Sequence, residues 1–348
     1  MSKYIVRDLI HIPPSKKTTK DGKEENTLER VLIIGPVQVH KCHFSENIFD
    51  CFRDAGFDVK YLCPSDLNLT EKQQRRKEEY YLSNLQKILG DWKPQMIWID
   101  FCWVFFRNTL SIPVFYFHMP FMRDPMVRHP TVLYLYHEDI LKYYERFHTD
   151  YMVEIPHKEV MYVAYNPETW KPAKKTYKGI NAFGGREGFK GVYAIDEILV
   201  IAEARLLEQE HEEYKKFGLN YFEGTFDDDT YRKMMPKCEA LWVNLSARQF
   251  TSRTMLECMG TKTMCFMKTM EEEGNHRIEE ILLEMGLKKG EYYYGVDKIS
   301  ELPQAFNKAI NKRQVLADAY KLVSENHTYK SRMEQIIEKY NEIMEAKK

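Results

Sequence analysis

The chain has 348 residues, of which 44% are hydrophobic and 14% aromatic, enough for well-packed interiors and too much for global disorder. Its 51 Lys and Arg residues against 52 Asp and Glu give a formal charge of -1. This balance excludes a chain-wide basic field for nucleic acid and leaves a local basic patch open. At about 100–200 residues per domain, the length predicts two domains.

The first residues do not have the pattern of a secretory signal. Residues 1–17 contain no long apolar core before a small-residue cleavage site, and no stretch of about 18 apolar residues occurs in the sequence. We therefore expect no membrane span and a cytoplasmic protein. The seven cysteines show neither a CxxC pair nor the Cys/His spacing of a zinc site, so we interpret them as reduced thiols.

After a polar arm and connection over residues 1–30, the pattern predicts a Rossmann-like domain over residues 31–165. VLIIG is typical of a buried parallel strand, and a helical pattern and a second strand follow it, which makes a βαβ unit. The remaining predicted elements are helices near 71–89 and 137–146 and strands in QMIWIDF, in IPVFYFHMP and near 151–155. This alternation predicts a doubly wound sheet with its ligand crevice at the carboxyl ends of the strands.

A segment rich in Pro and Lys, residues 166–179, is predicted to link this domain to a second one, residues 180–325. The second domain repeats the alternation of strands and helices. Its predicted strands lie near 180–183 and in LNYFEG, EALWVNL, KTMCFM and YYYGV, and its predicted helices lie near 194–217 and in TYRKMMPKC, SRTMLECMG and NHRIEEILLEM. Two further helices close the chain. Two such domains would enclose a cleft, which is a favoured ligand site.

The sequence GGREGFKG, residues 184–191, combines glycines with two cations just before a predicted helix. Gly184 and Gly185 would let the main chain approach a ligand closely, and the N–H groups at the helix start favour an anion. Arg186 would add a forked set of donors and Lys190 a mobile charge, so the segment would hold a diphosphate. A glycine-rich turn with a solvated Arg and Lys is equally consistent with these residue types.

Residues 240–266 predict a strand, a polar loop, a helix and another strand. Ser252 is a suitable N-cap for that helix, and Gly260 a suitable stop. Arg253 and Glu257 are four residues apart and share one helix face. An acidic group there would accept hydrogen bonds from vicinal hydroxyls, whereas an ordinary surface ion pair is the simpler alternative from the spacing alone.

These motifs resemble the C-terminal half of GT-B glycosyltransferases. SRTMLECMGTKTMCF is similar to the Arg, Glu, small residue, Gly element of enzymes related to bacterial spore-maturation glycosyltransferases, and HTYKSRMEQI is similar to the closing HTY-x-x-R segment of that group. GREGFKGVYAIDEI resembles the same part of retaining family-4 enzymes and, more distantly, of a phage DNA α-glucosyltransferase. The resemblance implies an α/β protein with the GT-B fold, in which two Rossmann-like doubly wound domains face a cleft. It also implies a C-terminal helix, within residues 326–348, that crosses back to the first domain.

The resemblance implies roles for individual residues of the second domain. Arg186 and Lys190 would neutralise the departing nucleoside diphosphate, beside the main chain of Gly184 and Gly185. Glu257 would accept hydrogen bonds from the donor ribose, and Arg253, one turn earlier, would reach the phosphates or the sugar. Ser252 would belong to the same donor site.

In the first domain the resemblance points to two strand ends. His118, at the end of IPVFYFH, would contact the donor sugar near the reacting carbon; a strand-end His satisfied by the backbone is the alternative. Gly35 would let the loop after the first strand approach the donor and the acceptor. Fixed cations at the leaving diphosphate would be the largest stabilising term, so we expect no metal and no cofactor besides the donor, a UDP-sugar.

Two departures from the family pattern limit the resemblance. Gln249 stands eight positions before Glu257, where retaining family-4 enzymes usually carry a second glutamate, and the gap between Arg186 and Lys190 is one residue shorter than usual. Retention of configuration is therefore an expectation from the resemblance alone.

The resulting hypothesis is a metal-independent glycosyltransferase that uses a nucleoside diphosphate sugar and an unidentified acceptor. A saccharide, a small molecule, a peptide and a modified DNA base all stay open as acceptors. Two alternatives would use the same fold: a non-catalytic sugar-nucleotide-binding protein and a sugar-nucleotide 2-epimerase. A dinucleotide oxidoreductase is disfavoured, because residues 31–40 lack GxGxxG.

Overall fold

The computed structural model describes residues 28–35, 44–74, 78–100, 104–118, 125–186, 214–226, 228–243, 253–268, 278–296, 298–309 and 313–347. The chain divides into two compact units. Unit 1 comprises Met1–Tyr162 and Tyr329–Lys348, and unit 2 comprises Val163–Thr328. The domain and linker limits expected from the sequence stay predictions.

The strands of the described ranges, in chain order, are β1 (Arg30–Ile34), β2 (Asp58–Leu62), β3 (Tyr80–Tyr81), β4 (Met96–Asp100), β5 (Phe106–Arg107), β6 (Val114–His118), β7 (Val127–Arg128), β8 (Val132–Leu135), β9 (His157–Val160), β10 (Tyr177–Arg186), β11 (Asn220–Phe226), β12 (Cys238–Val243), β13 (Met264–Lys268) and β14 (Tyr294–Val296). The α-helices are α1 (Phe44–Asp54), α2 (Glu71–Gln74), α3 (Gln86–Leu89), α4 (Glu138–Phe147), α5 (Thr149–Val153), α6 (Asp228–Met234), α7 (Arg253–Gly260), α8 (Ile278–Glu284), α9 (Leu302–Ala309), α10 (Arg313–Asn326) and α11 (Tyr329–Ala346).

Unit 1 is built on a six-stranded parallel sheet with the order β2-β1-β4-β6-β8-β9. Its central strands are buried on both faces and therefore consist of nearly continuous apolar runs. On one face Phe44, at the start of α1, stacks on Trp98 and Phe117 with ring centroids 5.9 and 4.6 Å away. On the other face Tyr144 of α4 packs against His118, with centroids 4.9 Å apart. The sheet is thus doubly wound.

The C-terminal helix α11 belongs to unit 1. The ring of Tyr329, its first residue, meets Phe44 edge-on at 5.2 Å. One turn later the buried guanidinium of Arg332 donates from Nε to the carbonyl of Tyr162 at 2.7 Å. Burial lowers the pKa of Arg332 to about 10. The helix therefore closes the end of the first unit with both an aromatic contact and a buried hydrogen bond.

Two predicted elements of unit 1 were wrong. The single helix expected near 71–89 is broken, because Tyr80 pairs with β5 in a small three-stranded sheet, β3-β5-β7, and packs edge-on against Phe106 at 6.1 Å. The strand expected near 151–155 is the helix α5, and the strand β9 comes just after it. Met152 is the buried residue of this helix, and an apolar run this short does not distinguish a helix from a strand.

Unit 2 carries a five-stranded parallel sheet with the order β11-β10-β12-β13-β14. The pairing of β10 with β12 shifts register between Tyr177 and Ile180. Gly179 lies in this bulge with a φ of 76°, and its N–H donates to a Glu239 carboxylate oxygen at 2.9 Å. Only glycine adopts that backbone conformation without strain. β10 begins at Tyr177, on the N-terminal side of this bulge, three residues before the predicted start at residue 180.

Candidate functional site

The carboxyl edge of the unit 2 sheet brings two of the predicted elements together. β10 extends through Gly184, Gly185 and Arg186, so this part of the glycine segment is strand and not loop. β12 is the neighbour of β10, and both end at the same edge. Only three residues separate the end of α7 from the start of β13, which places the C-terminus of α7 at the amino edge and its start toward the carboxyl edge. The backbone of Arg186 and the first turn of α7 therefore lie toward one edge of one sheet.

Arg253 and Glu257 form an ion pair on α7, as their spacing predicted. The guanidinium Nε lies 2.9 Å from Glu257 Oε1, and Glu257 has 0% exposure while the Arg253 side chain keeps 25%. The interpretation as an ordinary surface pair is therefore wrong for Glu257. A fully buried carboxylate needs such a partner, because an isolated charge is very costly to remove from water.

The C-terminus of α7 is held by two main-chain hydrogen bonds that the sequence did not suggest. Lys262 takes the left-handed conformation, with a φ of 55°, and its N–H donates to Met259 O while that of Thr263 donates to Cys258 O. These bonds form a Schellman motif. Lys262, not Gly260, therefore stops the helix. Gly260 instead allows close packing, since a Cβ there would lie 2.3 Å from the ring of Tyr165.

Lys175 fixes the same turn from outside the helix. Its ammonium group donates to Pro236 O at 2.7 Å, Thr261 O at 3.0 Å and Thr263 Oγ1 at 2.7 Å. Burial lowers the pKa of Lys175 to about 8. All three donor sites are used, so Lys175 links the turn after α6 to the turn between α7 and β13.

At the carboxyl edge of unit 1, Gly35 follows β1 directly. Its N–H donates to Leu62 O at 3.1 Å, which extends the pairing of β1 with β2 by one residue. A Cβ at Gly35 would lie 2.3 Å from Tyr61 Oη and 2.5 Å from Ser45 Oγ. Packing against α1 and β2 therefore requires glycine at position 35, whether or not a ligand approaches the loop that follows.

His118 ends β6 and is completely buried. Its Nδ1 lies 2.8 Å from Tyr116 Oη, and its Nε2 is hydrogen-bonded to Tyr144 Oη. Tyr116 Oη in turn accepts the N–H of Met126 at 3.1 Å. Both ring nitrogens thus have tyrosine partners, an arrangement that suits a positioning role; the contact with a donor sugar stays a prediction.

Asp100, at the end of β4, was not singled out in the sequence. It is 1% exposed, and burial raises its pKa to about 7. Its Oδ2 has no hydrogen-bond partner in the described part of the chain. The signal was available, since QMIWIDF places one acidic residue at the end of a fully apolar strand. In register Asp100 pairs with Phe117, so it lies on the opposite face of the sheet from His118.

Two predicted site residues, Lys190 and Ser252, lie outside the described ranges, as does Gln249, which departs from the family pattern. Among the residues that are described, no group of three or more His, Cys, Asp or Glu side chains could hold a metal ion. No helix in those ranges has both the length and the apolar character needed to cross a membrane.

Solved structures with the same arrangement of elements cover nearly the whole chain at very low identity. A glycosyltransferase from Rickettsia africae matches with a TM-score of 0.60 and 9% identity, over 92% of this chain and 99% of its own. Sucrose-phosphate synthase from Thermosynechococcus elongatus matches with a TM-score of 0.55 and 9% identity, over 91% of this chain and 100% of its own. The chain has the GT-B fold.

A third GT-B match is an E. coli structure described as trehalose-6-phosphate bound with UDP-2-fluoro glucose. It has a TM-score of 0.56 and 10% identity, over 90% of this chain and 99% of its own. No protein-family model matches the chain, and no curated protein matches it significantly. The expected fold class is therefore confirmed, while the resemblance to particular glycosyltransferase groups stays a prediction.

Proposed function

We propose that this protein is a glycosyltransferase that moves a sugar from a nucleoside diphosphate sugar, with UDP as the nucleotide, to a separate acceptor. The observation that carries the proposal is the completely buried Glu257, paired with Arg253 on the helix that follows β12 of a GT-B fold. The choice of UDP is supported by the E. coli neighbour, whose ligand is UDP-2-fluoro glucose.

The donor site of this proposal is the carboxyl edge of the unit 2 sheet. Glu257, buried and paired with Arg253, is suited to accept hydrogen bonds from the two ribose hydroxyls, because hydrogen bonds to carboxylates are strong. The partly exposed Arg253 would reach the diphosphate. Arg186, at the end of the adjacent strand, and Lys190, four residues later, would complete the cationic side of the site.

The chemistry of the transfer suits these residue types. As the bond between the sugar and the phosphate breaks, negative charge grows on the diphosphate and positive charge on the sugar ring. Fixed Arg and Lys side chains stabilise the leaving group without a bound metal. The similarity of GREGFKGVYAIDEI to retaining enzymes supports transfer with retention of configuration, which the anomeric signal of the product in NMR would test.

The experiment is a thermal-stabilisation panel of nucleotides and nucleotide sugars, run first with EDTA and then with Mg²⁺. A ligand at about a hundred times its dissociation constant adds about 2.7 kcal/mol of stability, which is a clear shift in melting temperature. We expect UDP and one UDP-sugar each to stabilise the protein as well in EDTA as in Mg²⁺. Stabilisation by NAD(P) alone, or only in the presence of Mg²⁺, would contradict the proposal.

A second assay separates the enzyme from its two alternatives. The stabilising UDP-sugar is incubated with the protein, and released UDP and the remaining sugar nucleotide are followed by NMR. Release of UDP, by slow transfer to water or by faster transfer to an added acceptor, supports a transferase. Conversion to the 2-epimer would identify an epimerase, and an unchanged UDP-sugar with every acceptor offered would identify a binding protein.

A further inference from the structure

Lys175 lies on the segment that leads into β10, and its ammonium group meets three oxygen acceptors. Nζ donates to the carbonyl oxygens of Pro236 and Thr261 and to Thr263 Oγ1, all within 3.0 Å. An ammonium group has three N–H donors, whereas a neutral amine has two, so these acceptors match the charged form of the side chain. Two of them belong to the turn between α7 and β13, which the charged Lys175 therefore fixes in place.

Hydrogen bonds continue from this turn to the main chain of Glu257. Thr261, whose carbonyl accepts from Lys175, donates its N–H to Glu257 O at 3.0 Å and its hydroxyl to the same oxygen at 2.9 Å. Thr263 Oγ1 lies 3.1 Å from Thr261 Oγ1. The two threonines are 0% and 1% exposed, so water does not compete for these bonds. The main chain of Glu257 is thus held by a polar chain that ends at Lys175.

The short length of α7 gives this anchor a consequence at the donor site. The helix has eight residues, about two turns, with Arg253 first and Glu257 fifth. Glu257 therefore lies one turn from the anchored end. Because a displacement of about 1 Å in a group that positions substrate can cost as much as about 100-fold, the position of this turn bears directly on the ribose contact proposed for Glu257.

Lys175 is charged at a cost, since burial lowers its pKa to about 8. The titratable groups that face it come from α7 and β12. Burial raises the pKa of Cys238 to about 12 and that of Cys258 well above its normal range, so both thiols stay protonated near pH 8. Glu239 acts on Lys175 through its charge, while one of its oxygens accepts the N–H of Gly179 at 2.9 Å. Within this group of residues, Lys175 is the one that changes charge near pH 8.

We propose that Lys175 is a positioning residue for the donor, which holds the end of α7 so that Glu257 meets the two ribose hydroxyls of the UDP-sugar. This inference rests on the proposed function. In this role Lys175 does not contact the donor; it acts through Thr261 and Glu257. A purely structural contact would instead stabilise the fold and leave the affinity of the folded protein for UDP unchanged.

Lys175→Met tests this role, because it removes the charge and the three donors and keeps a side chain of similar length. We expect UDP to bind about 10-fold more weakly in calorimetry, at a temperature at which circular dichroism shows the variant folded. The KM for the UDP-sugar should rise more than kcat falls, since a ribose contact is made equally in the ground and transition states. Lys178→Met, at a site 71% exposed, is the matched control and should keep the natural affinity. Unchanged UDP affinity in a folded Lys175→Met protein would overturn the proposal.

Thr263 provides a milder test that does not depend on the folding of Lys175→Met. Thr263→Val keeps the shape of the side chain and removes the hydroxyl that accepts from Lys175, whereas Thr263→Ser keeps this hydroxyl. The Val variant should bind UDP about 3-fold more weakly, the effect of one buried hydrogen bond, and the Ser variant should bind it normally. Equal affinities of the two variants would contradict the proposal.

The pH profile separates the charge of Lys175 from its size. In the natural protein the third donor is lost as the pH rises through about 8, whereas Lys175→Met cannot titrate. The protonated form is the tight-binding form, so the ratio of the variant and natural dissociation constants for UDP should be largest at pH 7 and fall toward pH 9. The same ratio for Lys178→Met should stay at unity. A ratio of unity for Lys175→Met at every pH would overturn the proposal.

A double variant identifies the route of the effect. In a Glu257→Gln background, Lys175→Met should weaken UDP binding less than it does in the natural protein, because the contact that it positions is already impaired. An equal loss in both backgrounds would contradict an action through Glu257. UDP binding that Lys175→Met leaves unaltered would overturn only this inference. Absence of UDP binding by the natural protein would overturn the proposed function, and this inference with it.

Discussion

Glu257 Oε1 lies 2.9 Å from Arg253 Nε across one turn of α7, with the carboxylate fully buried and the guanidinium partly exposed. A buried ion pair contributes little net stability, because the cost of desolvation offsets most of the attraction. A well-packed apolar pair would serve the fold equally well. The retention of charge at this position therefore suits a group that has a second task, which in our proposal is to hold the donor ribose.

Replacing Glu257 by Gln tests that task. The amide keeps the shape of the side chain but loses the charge, so we expect UDP to bind about 10-fold or more weakly, the loss of charge-assisted hydrogen bonds of about 1.5–3 kcal/mol. Isothermal titration calorimetry measures this change in UDP affinity. Asp229→Asn is the control, because Asp229 pairs with Arg232 at a helix surface, with 78% exposure, and should leave binding unchanged. Equal UDP affinity in Glu257→Gln and the unaltered protein would rule out the ribose contact.

Arg186 and Lys190 are the expected partners of the leaving diphosphate. Substitution of either residue by Ala should lower kcat by about 10²-fold or more, because each removes a fixed positive charge from the atom where negative charge develops. The rate of UDP release with saturating donor is the measurement. Lys178→Ala provides a comparison, since Lys178 is 71% exposed and only 3.5 Å from Glu239 in a surface pair. A near-normal kcat in both variants would remove the leaving-group role.

The hydrogen bonds of His118 predict a cost in stability. His118→Ala removes one hydrogen bond from each of the hydroxyl groups of Tyr116 and Tyr144 and opens a cavity, so we expect a loss of roughly 2–4 kcal/mol in the free energy of unfolding. Tyr144→Phe removes one of the two bonds and should cost about 1 kcal/mol. Urea unfolding of both variants and the double variant gives the coupling energy. If the His118→Ala protein is instead stable and has a strongly reduced kcat, the result would support a contact between His118 and the donor sugar.

Asp100 predicts a pH dependence of stability with a definite sign. Its folded-state pKa of about 7 lies above the ordinary value of 3.8, so the folded protein binds the proton more tightly than the unfolded chain. Its contribution is favourable at low pH and is lost as the pH rises toward 7. Asp100→Asn cannot titrate. The variant should therefore gain about 3 kcal/mol relative to the natural protein between pH 5 and pH 8.

Urea unfolding of both proteins at pH 5 and pH 8 measures this difference, in which the titration of all other groups cancels. A difference that stays constant between the two pH values would show that Asp100 ionises as an ordinary carboxyl group.

Most of the fold could be predicted because its signals are local. VLIIG, QMIWIDF and IPVFYFH are apolar runs of strand length, and their places in the parallel sheet follow from the alternation with helices. The errors came where a distant partner overrides local periodicity. Tyr80 leaves the expected helix to pair with β5, and the run around Met152 satisfies both a strand and a helix until its packing is known.

The sequence by itself determined two α/β domains, the helix face shared by Arg253 and Glu257, and a strand end at His118, since each depends on residue spacing along one element. Only the tertiary structure decided what these residues do. The burial of Glu257, the tyrosine partners of His118, the use of Lys262 to end α7 and the raised pKa of the buried Asp100 all depend on the packing of the folded chain. Burial and hydrogen bonding set the charge state and availability of a side chain, and both arise from packing between elements that no local pattern specifies.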